Sequence, residues 1–185
     1  MTYFEELKTA MSLLAKQQNS IFIGQAVEFE GTSLYHTLKD ISVDKYFEKN
    51  ISVNQRFEVP VFEATQMGMS IGMALQGYLP ISIFSRINFL LSAISPLVNT
   101  LDKLSDMSQG EFNPKVIIRT AIGSKSPMDP KSQHTGDFSQ AFQLMLENIP
   151  VISLNQVQDI VPAYQDAIDR KGSTILVEYM DLYNS

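Results

Sequence analysis

Val59-Pro-Val-Phe-Glu63-Ala-Thr-Gln-Met-Gly68-Met-Ser-Ile-Gly72-Met-Ala-Leu-Gln-Gly77-Tyr-Leu-Pro80 is the stretch on which the fold turns. Its first residues, with Phe57 before them, are held extended by β-branched valines and by Pro60, which disfavours helix at the residue preceding it. From Glu63 the pattern switches to helical spacing over 63–75, with Met67, Ile71, Met73 and Ala74 on the buried side. Gly68 and Gly72, four apart, leave a smooth face that another backbone can approach. A strand follows over 79–85. Glu63 puts a carboxylate in the first turn of the helix, a place that dipole complementation alone would explain.

Working outward, the same alternation appears on both sides. Thr2 followed by Glu5 forms a capping box, and Phe4, Leu7, Met11 and Leu14 recur at helical spacing, so the chain opens with an amphipathic helix ending near Asn19. A buried strand over 20–24 leads into a loop, and a second helix is predicted over 34–47. Beyond residue 85 the pattern predicts a long helix over 88–107 carrying Pro96, a strand over 115–122, a polar loop over 123–136 and a helix over 138–147. A strand over 150–154, a helix over 157–169 and a strand over 174–179 complete it. Such alternation specifies an α/β fold: a three-layer, mostly parallel sheet with helices on both faces and its functional edge at the carboxyl ends of the strands. No internal repeat or interior boundary divides the 185 residues, so 1–185 reads as one domain.

Composition removes whole classes of function. Fourteen Lys and Arg stand against twenty Asp and Glu, a formal charge of −6, which argues against a nucleic-acid partner. Without cysteine there is no disulfide framework, thiolate nucleophile or Cys-ligated zinc, which suits a reducing, cytoplasmic setting. The first twenty residues read neither as a signal peptide nor as a membrane span. Only His36 and His134 could supply imidazole, so no metal cluster is expected. Dinucleotide, P-loop and nucleophile-elbow glycine motifs are missing too.

The order of residues around Glu63 resembles the pyrimidine-binding domain of the transketolase-like thiamine diphosphate enzymes, in particular the amino-terminal domain of the β subunit of the 2-oxo-acid (pyruvate) dehydrogenase first component. There the pattern is Pro-Ile-Ser-Glu, a Gly-x-x-x-Gly helix and then Gly-x-x-Pro. Further segments fall in family order: the opening Met-Thr-Tyr-Phe-Glu-Glu-Leu, Ile21-Phe-Ile-Gly24, Gly31, Asn88-Phe89, Met107-Ser-Gln-Gly-Glu-Phe112, Val116-Ile-Ile-Arg119, Gln133-His134 and Leu176-Val-Glu-Tyr179.

The resemblance implies thiamine diphosphate as cofactor and a defined task for Glu63. In the family this glutamate hydrogen-bonds a pyrimidine ring nitrogen and drives the aminopyrimidine towards the imino form that takes the thiazolium proton. Burial would serve that task by raising the carboxyl pKa, against the pull of the helix start. His134 matches the Gln-His of the family loop, where the histidine lines the site near the reacting substrate; a solvated loop histidine is the plainer reading. The segment that stacks on the pyrimidine reads Ile83-Phe84-Ser85-Arg86-Ile87-Asn88-Phe89 here. Phe89 fits one aromatic position, Arg86 falls where a second is common, and Phe84 substitutes if the register shifts. Gln25 stands where the family usually has an acid.

Gly136-Asp137-Phe138 lacks the second glycine of the Gly-Asp-Gly motif that holds magnesium and the diphosphate. The resemblance therefore implies a partner subunit carrying that motif and the Mg2+ site, in a heterodimer or heterotetramer, with the carboxy-terminal domain also missing from this chain. A natural single-domain subunit and a truncated chain both account for that. The implied function is a 2-oxo-acid dehydrogenase or decarboxylase subunit; a transketolase-type subunit and a non-catalytic dimerisation module are the alternatives.

Overall fold

The computed structural model describes residues 1–30, 32–41, 44–47, 51–125 and 129–184, with only the backbone path given for 44–47 and 51–54. Gly31 and the loop residues 126–128 lie outside the described residues. Helix α1 (Tyr3–Ala15) opens on the capping box: Thr2 Oγ1 accepts the Glu5 N–H at 3.2 Å, and the Glu5 carboxylate accepts the Thr2 N–H at 2.8 Å. Strand β1 (Ser20–Gly24), helix α2 (Ser33–Leu38) and strands β2 (Asp44–Phe47), β3 (Ile51–Asn54) and β4 (Arg56–Glu58) follow. Next come α3 (Glu63–Leu75), β5 (Leu79–Phe84), α4 (Ile87–Leu90), α5 (Leu104–Met107) and β6 (Ile117–Ile122). Helix α6 (Ser139–Met145), β7 (Val151–Leu154), α7 (Ile160–Asp169) and β8 (Thr174–Tyr179) end the chain.

Six strands form one sheet in the order β4-β1-β5-β6-β8-β7, every neighbouring pair parallel. Adjacent strand residues point to opposite faces, and each face has its own core. Ile117 and Leu176 join Leu7, Met11 and Leu14 of α1 and Tyr164 of α7. Ile118, Ile175 and Val177 join Met67 and Ile71 of α3 and Phe142 of α6. That is the three-layer α/β arrangement the alternation predicts.

Two expected helices differ. Over 34–47 only α2 is helical; β2 pairs antiparallel with β3, a partner that local helical spacing does not reveal. Over 88–107 the helical path is broken into α4, a 3-10 turn at Leu91–Ala93, a π turn at Pro96–Leu101 and α5. Pro96 brings no N–H to the ladder, and the Asp102 N–H closes the wide turn onto the Leu97 carbonyl at 3.0 Å.

Between the sheet and α1, α2 and α7 lies a charged cluster. Arg119 of β6 and Glu178 of β8, both 0% exposed, pair through Nε–Oε1 at 2.7 Å and Nη2–Oε2 at 2.9 Å. The hydroxyls of Tyr164 and Tyr183 donate to Glu178, and Nη1 of Arg119 donates to Thr37 Oγ1 at 2.9 Å. With its polar groups mutually satisfied, this cluster is tolerated in the core.

Candidate active site

Glu63 begins α3, and the first turn of that helix is fixed from one position further in. The Gln66 side chain, 1% exposed, donates to the carbonyl of Ile83 at 3.0 Å, to Ser82 Oγ at 3.1 Å and to the carbonyl of Ile23 at 3.4 Å. Ser70 Oγ completes the tie to Ser82 at 3.1 Å. The start of α3 therefore sits over the carboxyl ends of β1 and β5, where the chain, having passed from β1 to β4 on one side, crosses through α3 to β5 on the other. Glu63 is half-buried there, and among the described residues no hydrogen bond or ion pair engages its carboxylate.

Arg86, Phe89 and His134 are brought together one strand over. Arg86 Nη1 donates to the carbonyl of His134 at 3.0 Å, Asn88 Nδ2 donates to the carbonyl of Gln133 at 3.1 Å, and the rings of Phe89 and His134 lie 5.0 Å apart at 52°. Nδ1 of His134 and Oδ1 of Asn88 are shielded from solvent without a hydrogen-bond partner among the described residues. Burial pulls the Arg86 guanidinium below its ordinary pKa, against the opposing field of Asp181.

Phe84 is placed differently. At 2% exposure it belongs to the core cluster of Met67, Ile71 and Ile118, so it backs the site from within the protein. His36 is exposed on α2, apart from this group.

Sequence reasoning missed Glu58. At the end of β4 its carboxylate accepts three successive backbone N–H groups, Ala26 at 2.7 Å, Val27 at 2.8 Å and Glu28 at 3.0 Å, and so shapes the loop that begins at Gln25. Ala26 adopts φ +59°, a left-handed conformation that turns these donors inward. Its signal was an acid closing an extended segment beside a glycine-terminated strand.

No protein-family model matches the chain. It is 28% identical over 188 residues to the pyruvate dehydrogenase E1 component subunit beta of Cyanidium caldarium, covering 100% of this chain and 54% of that protein. With the mitochondrial counterpart of Ascaris suum it shares 26% over 185 residues, covering 99% of this chain and 48% of the other. The mitochondrial counterpart of Saccharomyces cerevisiae is 30% identical over 141 residues, covering 75% and 36%. The chain thus spans about half the length of the curated relatives it matches first.

Among solved structures, a split-gene transketolase, described as an inactive β4 tetramer, superposes with a TM-score of 0.64 at 16% identity, covering 97% of this chain and 51% of that one. A thiamine diphosphate-dependent 4-hydroxybenzoylformate decarboxylase from Rhodococcus jostii RHA1 gives 0.63 at 12% identity, covering 99% and 31%. The fold is that of the transketolase-like thiamine diphosphate enzymes. Within that class, the sequence relatives of the chain are β subunits of the pyruvate dehydrogenase first component. No helix among the described residues is long and apolar enough to cross a membrane.

Proposed function

We propose that residues 1–185 form the pyrimidine-binding domain of a split thiamine diphosphate enzyme acting on a 2-oxo acid, with Glu63 activating the cofactor. One observation carries the reading: a half-buried carboxylate without a partner among the described residues, at the start of a helix pinned over the carboxyl ends of β1 and β5. The residues present fit an aminopyrimidine. Glu63 offers an acceptor for a ring nitrogen, Phe89 an apolar face, and the orphaned His134 Nδ1 and Asn88 Oδ1 mark polar capacity that no described residue uses.

When bound, thiamine diphosphate supplies the carbon nucleophile that attacks the substrate carbonyl. In this proposal Glu63 holds or shares a proton at Oε, facing the pyrimidine nitrogen. Phe89 limits water beside His134, Phe84 backs that wall from the core, and Arg86 frames it. His134 handles a proton, or polarises a carbonyl, through its imidazole.

Magnesium and the diphosphate belong, in this proposal, to a partner chain with the Gly-Asp-Gly motif. Asp137 is engaged locally, its Oδ1 accepting the N–H and hydroxyl of Ser139 at 2.9 and 2.6 Å at the start of α6. Room for a partner lies along α3: a Cβ built on Gly68 or Gly72 meets nothing within 4 Å, and Val61 and Phe62 beside it are 68% and 62% exposed. The proposal implies a heterodimer or heterotetramer.

A ketol-transferring subunit is the second reading, favoured by the likeness to the split-gene transketolase. Titration calorimetry with thiamine diphosphate and Mg2+ tests the proposal, using the chain alone, with the partner, and with partner and Glu63→Gln. The expected result is binding only with the partner, and a variant that binds yet no longer exchanges the thiazolium proton. A wild-type complex that binds no cofactor overturns it in favour of an interaction module. Turnover of a ketose phosphate instead of a 2-oxo acid selects the second reading.

A further inference from the structure

We propose that Arg86 is a positioning residue whose guanidinium clamps the Gln133–His134 turn and so fixes the imidazole of His134 against Phe89. The catalytic meaning of the clamp rests on the function proposed above; the clamp itself does not.

Arg86 leaves β5 in an extended conformation, φ −144° and ψ 149°, and its side chain reaches the segment after β6. There it meets Gly123. A Cβ at that position would lie 1.5 Å from Arg86 Nη1, 2.6 Å from the guanidinium carbon and 2.7 Å from the carbonyl oxygen of His134. The guanidinium occupies that space because residue 123 has no side chain. From this seat Nη1 donates to the His134 carbonyl at 3.0 Å, while Asn88 holds the preceding carbonyl, that of Gln133, at 3.1 Å. Two successive carbonyls of the turn are thus held by two residues of one segment, and Phe89, next along it, packs against the imidazole at 5.0 Å.

A phenylalanine at 86 could stack but could not donate to a carbonyl; a planar guanidinium with several N–H groups does. Arg86 thus sets the orientation of the imidazole and touches none of the reacting atoms in this proposal. Gly123 is its structural counterpart, needed for the seat and contributing no chemistry.

The chain has only two histidines, so its imidazole CH resonances report on the clamp without cofactor, and His36, exposed on α2, is an internal reference. In Arg86→Ala, His134 is expected to lose the ring-current shift from Phe89 while His36 stays in place. Gly123→Ala, which fills the seat and leaves the arginine intact, is expected to reproduce that change. Arg86→Lys, which keeps one donor, retains part of the wild-type shift. Unmoved His134 signals in Arg86→Ala overturn the proposal; should that variant unfold, unmoved signals in Gly123→Ala do so. In the complete complex turning over a 2-oxo acid, kcat of Arg86→Ala falls by about 10²-fold, as for a misplacement of about 1 Å, with KM little changed and partial recovery in Arg86→Lys. If the wild-type complex turns over no 2-oxo acid, the functional reading fails while the resonance result still decides the clamp.

Discussion

Replacing Arg119 by methionine isolates the energetics of the buried cluster. The substitution keeps most of the aliphatic volume and removes the guanidinium, which in the wild type makes two bonds to Glu178 at 2.7 and 2.9 Å and one to Thr37 at 2.9 Å. Glu178, 0% exposed, then keeps only the hydroxyls of Tyr164 and Tyr183. Breaking one side of such a buried pair costs about 3–5 kcal/mol, because an uncompensated charge is left in the core. For a chain of this size each kcal/mol moves Tm by ~2–4 °C, so the expected fall is roughly 6–20 °C. Calorimetry and urea unfolding, compared at equal m-value, measure it. The double variant Arg119→Met, Glu178→Leu still strands the Tyr164 and Tyr183 hydroxyls, each costing about 1–3 kcal/mol, and recovers only part of the loss. Adding Tyr164→Phe and Tyr183→Phe restores more. A single Arg119→Met that loses under about 1 kcal/mol, against the usual cost of a broken buried pair, would refute the reasoning.

The tyrosines around the same cluster give a pH prediction. Burial, followed by the Glu178 carboxylate, pushes the hydroxyls of Tyr3, Tyr164 and Tyr183 above their ordinary value. With folded pKa values above the unfolded one of about 10, their contribution is full below that pH and declines as pH rises past it. Of the seven tyrosines these three should ionise only on alkaline unfolding, read as tyrosinate absorbance. Asp102 behaves oppositely. Burial would raise its carboxyl, but the N–H groups of Asn148 and Glu147 and the Lys103 ammonium hold it below the ordinary value. Asp102→Ala should cost about 3 kcal/mol at neutral pH, and the difference from wild type should shrink as pH falls below about 4 and through the folded pKa, as urea unfolding across pH would show. Glu58→Ala should free the loop after β1, so amide exchange at residues 26–28 rises sharply while that of β4 and β5 is unchanged.

Local signals were sufficient where the causes are local. The Thr2 capping box starts α1, and α3 runs from Glu63 to Leu75 as its spacing predicts. They failed where a distant partner decides. Leu34 and Leu38 do lie in α2, but the helix expected as far as Phe47 gives way to β2, whose antiparallel partner β3 no local spacing reveals. The π turn after Ser95 follows from one missing N–H inside an otherwise regular apolar pattern. Strand alternation alone distinguishes Phe84 from Phe89. Alternation along β5 puts Phe84 on the same face as Ser82, which α3 covers through Gln66 and Ser70, whereas Phe89 lies beyond the strand end. The Arg119–Glu178 pair was visible as one cation and one anion, each interrupting an apolar strand, a pattern costly to bury unpaired.

These residues also show how the fold separates stability from chemistry. Between the sheet and α1, α2 and α7, buried charge is complete: every polar group of Arg119 and Glu178 meets a partner, and the cluster gains rigidity from that closure. At the carboxyl edge between β1 and β6 the opposite holds, with the Glu63 carboxylate, His134 Nδ1 and Asn88 Oδ1 lacking partners among the described residues. A shielded polar atom without a partner costs free energy, so two of them at the edge that also carries the half-buried Glu63 carboxylate identify the place where folding stops short of satisfying its own groups. Around them the supports are completed: Gln66 fixes the start of α3, Glu58 the loop after β1, Arg86 and Asn88 the turn carrying His134. Rigid supports around unsatisfied groups are what a preorganised site requires, because the orientation is established before any ligand arrives.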